Sequence, residues 1–571
     1  MADSWITDTK ASTRFPVYTR SNASDVLPDP VSPLGATLSW IPGVLEGWRE
    51  GNVRQGAFSP EELDDGVNPC CAFFNGFLYV NASVVRVYGE RAGAGAAAID
   101  AAFFGNRPDT PPYVPHPEDH SPEAAERIAT TMGWVMSAEE WPEMMENKAL
   151  ADGARAGRGD LAALSDEELV ARARELTALQ RRLFSDHVLS SSNTAVGPTI
   201  LGQVAPAHML RLIASAGDVD SAAPSFAMWR LSRAVRDSDE LTAAFEAGVD
   251  GLLERLGSSG TEAATRFLAD LELFMLEYGA RGPNEWDPYS EVWETRPELV
   301  LALVDRMRVT GDDQSPVARN EAVAADRVAA TEEVLASLGE DEETKGLVLA
   351  AQGSAQRFLA WRERTKTNCV KAIHEQRMAM RELGRRGVEE GALDDQRLVF
   401  MLLDEELDDY IAVPSSFSER LGERRAAWKE LWSLEPPYFV EGDKGVPPLS
   451  SLARKGDAEI TVAVPGDVLT GSPGCAGVAR GTARVLLDPG DPLALEPGDI
   501  LIAPNTDPSW TPLFVPAAGV IVDVGAMNSH AVIVSRELGI PCAVSVVDAT
   551  KRIPDGALVE VDGGTGTVTM L

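Results

Sequence analysis

Two short apolar runs, 518–522 (Ala-Gly-Val-Ile-Val) and 542–547 (Cys-Ala-Val-Ser-Val-Val), leave room between them for a single short helix. No other feature restricts the fold of the C-terminal part so tightly. Both runs have the length and β-branching of buried strands. The segment 531–538 reads as a helix of about two turns, with Ser529 as its N-cap and Gly539 just past its end. His530 therefore stands at the first helical position of a strand–turn–helix–strand unit. Unpaired backbone N–H groups and the positive end of the helix dipole favour an anion there and disfavour an imidazolium. The ring is expected to be neutral and nucleophilic near pH 7. Such a ring can attack phosphorus, and the same N–H groups would hold the phosphoryl group it then carries. Local spacing alone also allows a helix-start histidine without chemistry.

The wider surroundings of His530 carry a resemblance. The runs Asn505-Thr506-Asp507-Pro508-Ser509-Trp510-Thr511-Pro512, Gly525-Ala526-Met527-Asn528-Ser529-His530-Ala531 and Arg536-Glu537-Leu538-Gly539-Ile540-Pro541 follow one another at family-like spacing. Together with Gly471-Ser472-Pro473-Gly474 and Gly481-Thr482-Ala483-Arg484-Val485, they resemble the phosphohistidine swivelling domain of the phosphoenolpyruvate-utilising enzymes. In that family the histidine matching His530 is phosphorylated and travels between two distant sites. The resemblance implies Ser529, Asn528 and Thr506 as supports of the phosphohistidine loop; Asn528 stands where the usual motif has Thr or Leu.

Composition narrows the partners. The chain has 571 residues and a formal net charge of −37, so phosphate backbones and anionic membranes would be repelled. Its five cysteines, Cys70, Cys71, Cys369, Cys475 and Cys542, are scattered and show no Cys-x-x-Cys spacing, which argues for reduced thiols and against a zinc site. The N-terminus lacks the basic start and apolar core of a secretory signal, and no run approaches the roughly 20 apolar residues of a membrane span. A cytoplasmic location is expected.

Taken in order, 19–34 holds prolines at 28, 30 and 33 and is expected to be an extended, non-helical segment. The stretch 73–81 reads as a strand pair around the Asn75-Gly76 turn. Apolar residues at three-to-four spacing predict helices over 161–187, 224–235, 238–256, 260–278, 319–338 and 341–386. The Pro- and Gly-rich stretch 435–467 reads as a linker and hinge. Beyond it, strands are expected at 477–487, 499–503, 519–523, 541–547, 557–562 and 566–571. The expected architecture is multidomain: a mainly α-helical acceptor-substrate domain at 1–434, the linker, and a small β/β/α swivelling phosphohistidine domain at 468–571.

Two helical-region stretches are unusually polar. Tyr278-Gly279-Ala280-Arg281-Gly282-Pro283-Asn284-Glu285-Trp286-Asp287-Pro288 resembles the Tyr-Gly-His-Arg-Gly-Pro-x-Glu-x-Asp motif of the acceptor domains in rifampicin phosphotransferases, with Ala280 in place of the histidine. Arg281 and Glu285 match and are candidates for substrate or phosphate contact; an ion pair that pins the loop is the alternative. In 361–384, Arg362, Lys366, Arg377 and Arg381 could share one broad helical face, which suits a phosphoryl group in transit or simply a solvated face. His374 on the same helix is a candidate general base.

The resemblance implies a dikinase relay. In the family ATP and Mg²⁺ sit on an ATP-grasp domain, which in rifampicin phosphotransferases precedes the acceptor domain; no glycine-rich triphosphate loop is found here and the sequence begins at the acceptor domain. The expectation is therefore an acceptor-plus-carrier subunit of a split dikinase, with ATP and Mg²⁺ on a separate ATP-grasp partner. Split phosphotransferases similar to this chain, such as phenylphosphate synthase and the hydroxyphenyl ketone kinases, phosphorylate phenols. Trp134, Met136, Trp141, Met144, Met145, Trp286, Tyr289 and Trp293 suit a flat apolar acceptor or a core. The alternatives are a non-catalytic phosphocarrier or regulatory protein, and a condensing ligase that uses a phosphorylated intermediate.

Overall fold

The structure, a computed structural model, describes residues 5–6, 8–64, 66–104, 107, 109–217, 219–456, 460–487, 495–526 and 529–571. Its principal helices are α1 (Asp166–Asn193), α2 (Ala223–Arg236), α3 (Asp239–Glu246), α4 (Leu252–Ser259), α5 (Glu262–Tyr278), α6 (Glu298–Arg308), α7 (Pro316–Ser337), α8 (Glu342–Glu389) and α9 (His530–Leu538). The chain is mostly helical and ends in a small β/α domain.

Local chemistry explains the element ends. Ser121, Ser238, Thr261 and Ser315 each accept a backbone N–H at a helix start, which satisfies a donor the helix cannot. The single helix expected over 238–256 is broken into α3 and α4, because Gly248 and Gly251 between them adopt positive φ of 96° and 65°. The segment 19–34 is not wholly extended either. Ala23–Val26 forms a helical turn ahead of the first of its prolines, where no ring yet blocks it.

By contact the chain divides into two compact units. The first comprises Met1–Asn193, Asn284–Ser290 and Arg364–Glu459. It contains an antiparallel sheet of β1 (Val17–Thr19), β2 (Cys71–Phe74), β3 (Phe77–Asn81) and β4 (Phe439–Glu441), in the order β2-β3-β1-β4. The β2–β3 hairpin turns at Asn75 and Gly76, whose positive φ values of 54° and 80° suit Asn-Gly. β4 falls inside the stretch expected as linker; Val440 is buried beside Tyr18, its register partner, in an aromatic cluster with Phe74 and Tyr79.

The second unit comprises Thr194–Pro283, Glu291–Glu363 and Ile460–Leu571. Its sheet uses β5 (Val468–Thr470), β6 (Ser472–Cys475), β7 (Val478–Val485), β8 (Ile500–Ala503), β9 (Gly519–Val522), β10 (Cys542–Val544), β11 (Leu558–Asp562) and β12 (Thr567–Met570). The order is β5-β12-β11-β7-β8-β9-β10-β6, with β7, β8, β9 and β10 mutually parallel and the outer pairs antiparallel. Strands β5 and β6 were absent from the sequence expectation, since Gly471 and Pro473 mask any alternation. Helix α9 connects β9 to β10, as a parallel pair requires.

One apolar cluster joins Trp229, Phe267, Phe274 and Val300 of the helices to Val520, Val522, Val532 and Leu538 of the β/α part. Burial of this shared core is why the compact units cut across the domain ranges expected from the sequence. The five cysteines are buried free thiols. Among the described residues no helix is long and apolar enough to cross a membrane.

Candidate functional site

His530 opens α9, with Ser529 at the N-cap in extended backbone and Gly539 in the left-handed conformation at the other end. The N–H of Ile533 donates to Ser529 O at 3.0 Å, so the helical ladder starts at the expected residue. The Ser529 side chain, however, makes no capping bond. Its Oγ is buried and has no hydrogen-bond partner among the described residues. A buried hydroxyl in that state beside a helix N-terminus is one that an anion would satisfy. Asn528 lies outside the described residues.

The imidazole is buried and held at both nitrogens. Thr506 Oγ1 lies 3.0 Å from Nδ1, and Thr511 Oγ1 lies 3.0 Å from Nε2. Phe514 meets the ring edge-on, with centroids 6.0 Å apart. Thr511 Oγ1 also lies 3.3 Å from Ser221 O, just before α2. Ser221 Oγ donates to the buried Glu363, which is in turn paired with Arg362. Sequence reading missed Thr511, Ser221 and Glu363 as members of the site. Thr511 stands five residues after Thr506 in the same motif, a signal that a second hydroxyl was available; Ser221 carries none.

Near the loop that precedes α9, Asp523 accepts the backbone N–H of Thr550 at 2.8 Å. Burial pushes its carboxyl up to about 6 against those hydrogen bonds. At the other end of α9, Arg536 Nε donates to Gly474 O at 2.9 Å, and burial brings its guanidinium down to about 10.

The remaining candidates fall in separate surroundings. In the second unit, Arg281 is buried; its N–H donates to Tyr278 O and its carbonyl accepts the Trp293 N–H at 2.8 Å. In the first unit, Glu285 is buried with Lys366 Nζ 3.9 Å from its Oε1. Arg377 is fully buried and donates to the carbonyls of Glu285, Asp287 and Pro288 at 2.9, 3.1 and 3.2 Å. It also donates to His374 Nδ1 at 3.0 Å, since a guanidinium has no lone pair to offer. Arg377 thus pins the 285–288 loop instead of standing on an open basic face. His374 is itself fully buried, with Nδ1 taken by that guanidinium, a setting unlike that of an accessible general base. Arg381 is half-buried one turn further along α8. Trp286, Tyr289 and Trp293 are buried as well; Trp286 packs against Trp40 and Phe184, and Tyr289 against Trp428. Their side chains serve the cores.

Two family profiles match the chain: the rifampicin phosphotransferase fourth domain over residues 184–363, and the mobile domain of PEP-utilising enzymes over residues 495–566. The second contains His530, Thr506, Thr511 and Ser529; the first contains Ser221, Arg281, Arg362 and Glu363. Among curated relatives, a rifampicin phosphotransferase of Streptomyces sviceus is 32% identical over 339 residues, covering 57% of this chain and 37% of that protein. A rifampicin phosphotransferase of Bacillus cereus is 27% identical over 308 residues, covering 53% and 34%. The uncharacterized phosphotransferase YvkC of Bacillus subtilis is 26% identical over 409 residues, covering 68% and 46%. The matched stretch amounts to less than half the length of each of these relatives.

Proposed function

From a chain that is rifampicin phosphotransferase-like and carries the mobile domain of the PEP-utilising enzymes, we propose a phosphotransferase in which His530 is the covalent phosphoryl carrier. The observation that carries this reading is the placement of His530 on the first turn of α9 beside the buried Ser529 Oγ, which has no hydrogen-bond partner among the described residues, inside the mobile-domain match. A neutral imidazole there can form a P–N bond, and the helix N-terminus with that hydroxyl can take the negative oxygens.

The proposed relay is of the dikinase type. A ring nitrogen of His530 attacks the β-phosphorus of ATP and AMP leaves. Water then removes the terminal group as phosphate, and the remaining phosphoryl passes to a hydroxyl as the P–N bond breaks. The acceptor class is a small phenol, whose pKa near 10 lets it act with little help from a base. ATP and Mg²⁺ are proposed to sit on a separate ATP-grasp protein, and the described chain after β4, residues 442–456, is proposed to supply part of the travel between donor and acceptor sites. Arg281 and Arg362 in the second unit, and separately Glu285, Lys366 and Arg381 in the first, are proposed as contacts for substrate or phosphate.

The test mixes the purified chain with candidate ATP-grasp proteins, ATP, Mg²⁺ and a panel of phenols. AMP, an isolable phosphate ester and an added mass of about 80 daltons on His530 under alkaline conditions are expected, all lost in His530→Ala. ADP as the sole nucleotide product refutes the dikinase relay, and turnover retained in His530→Ala refutes the carrier itself.

A further inference from the structure

The two threonines around His530 cannot play the same role. A neutral imidazole has one N–H and one lone pair, so one hydroxyl must accept from the ring and the other must donate to it. Thr511 has a single hydroxyl proton and, among the described residues, two neighbours that could take it: His530 Nε2 at 3.0 Å and Ser221 O at 3.3 Å. The Ser221 carbonyl can only accept. When the Thr511 proton goes to that carbonyl, Nε2 carries the ring proton and donates to Thr511 Oγ1, while Thr506 donates to Nδ1. Three hydrogen bonds form. When the Thr511 proton goes to Nε2 instead, Nδ1–H donates to Thr506 and the contact with Ser221 is empty. Among the described residues only two form, so their count favours the Nε2–H ring wherever the carbonyl is present.

The carbonyl is held from behind. Ser221 Oγ donates to Glu363, a carboxylate buried on α8 and paired with Arg362, which fixes the segment just before α2. Glu363 therefore reaches the ring through Ser221 and Thr511 without touching it.

We propose that Thr511 is a positioning residue that sets the tautomer of His530 by passing its hydroxyl proton to the Ser221 carbonyl. In the arrangement seen here the ring is Nε2–H, and Nε2 has no lone pair to attack phosphorus. When the histidine-bearing segment is away from Ser221, the Thr511 proton turns to Nε2, the ring proton is exchanged through solvent to Nδ1, and the Nε2 lone pair becomes the nucleophile. The number of protons is unchanged between the two states. The inference rests on the carrier reading of His530, and it ties the readiness of the ring to where the carrier sits.

The experiment is ¹⁵N NMR of the full chain with labelled histidine, at a pH where the ring is neutral. The His530 resonances are identified by their loss in His530→Gln, and Nδ1 and Nε2 are told apart by their couplings to the ring carbons' protons. The expected result is an unprotonated Nδ1 and a protonated Nε2 in the wild type and in Thr511→Ser, with reversal toward Nδ1–H in Thr511→Val. Thr506→Val, which leaves Thr511 in place, is expected to keep Nε2–H. A protonated Nδ1 in the wild type, an unchanged tautomer in Thr511→Val, or a reversal in Thr506→Val overturns the proposal, so a valine variant that fails to fold leaves the other two arms decisive. Phosphorylation of His530 is read separately by mass. A chain that takes the label but whose resting ring, before any phosphoryl donor is added, is Nδ1–H sinks this inference alone, and one that shows the resting Nε2–H ring but never takes the label sinks the carrier reading alone.

Discussion

Glu537 Oε1 accepts the backbone N–H of Ala216 at 2.6 Å, tying the end of α9 to the segment that precedes α2. The other carboxyl oxygen accepts from Asn320 Nδ2 at 3.0 Å, and Arg327 stands near enough to favour its ionised form. Burial outweighs these contacts and pushes the Glu537 carboxyl up to about 7.

A raised carboxyl has a definite sign in stability. The unfolded chain loses the proton near the ordinary 4.5, the folded one near 7, so folding holds the extra proton between those values. The contribution is fully present below the unfolded value and is lost as pH rises through the folded one, at most about 3 kcal/mol in all. Thermal unfolding of Glu537→Gln is expected to show a flatter pH profile from 5 to 8 than wild type, and to match or exceed it at pH 8. Equal slopes in the two proteins would show that Glu537 is not the group responsible.

Ser529→Ala should separate stability from chemistry. An N-cap serine that makes its bond is worth about 1 kcal/mol, but here that bond is absent, so a change within about 0.5 kcal/mol is expected in denaturant unfolding. The phosphorylated form of the variant should hydrolyse several-fold faster than wild type, because Oγ, without a partner among the described residues, is the group that would hold a phosphoryl oxygen. Unchanged hydrolysis would remove Ser529 from the site.

Gly539→Ala tests the C-terminal end of α9. Its φ of 64° disfavours any side chain, and a Cβ there would lie 2.6 Å from Val323 Cγ2 on α7. A loss of roughly 2 kcal/mol is expected, part of it recovered in the double variant with Val323→Ala. Strict additivity of the two substitutions would mean that the contact does not matter.

Arg377→Met removes a fully buried guanidinium and leaves the carbonyls of Glu285, Asp287 and Pro288 without their donor. A destabilisation of roughly 3 kcal/mol or more is expected by urea unfolding. Arg377→Lys should recover little of it, since an ammonium cannot reach three carbonyls with a planar fork. Full stability in either variant would return Arg377 to the list of surface cations.

Much of the helical part was legible because its signal is periodic. The stripes over 260–278 and 341–386 reappear as α5 and α8, displaced by a few residues at the ends where side-chain caps decide. The break between α3 and α4 was not, because a glycine inside an apolar pattern becomes a break only when its φ turns positive. The basic residues of α8 show the same limit. Spacing places Arg362, Lys366, Arg377 and Arg381 on a broad face, but spacing is blind to what that face meets. Arg377 meets carbonyls, Arg362 meets Glu363, and Lys366 meets Glu285.

For the site itself, sequence alone determined the glycine that ends α9 and the strands on either side, because a left-handed glycine and β-branched runs act within a few residues of themselves; it also placed the helix start at His530, although the Ser529 side chain makes no capping bond there. Tertiary structure alone decided that Thr506 and Thr511 take opposite ring nitrogens and that Ser221, 309 positions before the histidine, reaches it through a shared hydroxyl. Those contacts are made by folding distant segments onto one core, and no local pattern of residues encodes which of them will meet.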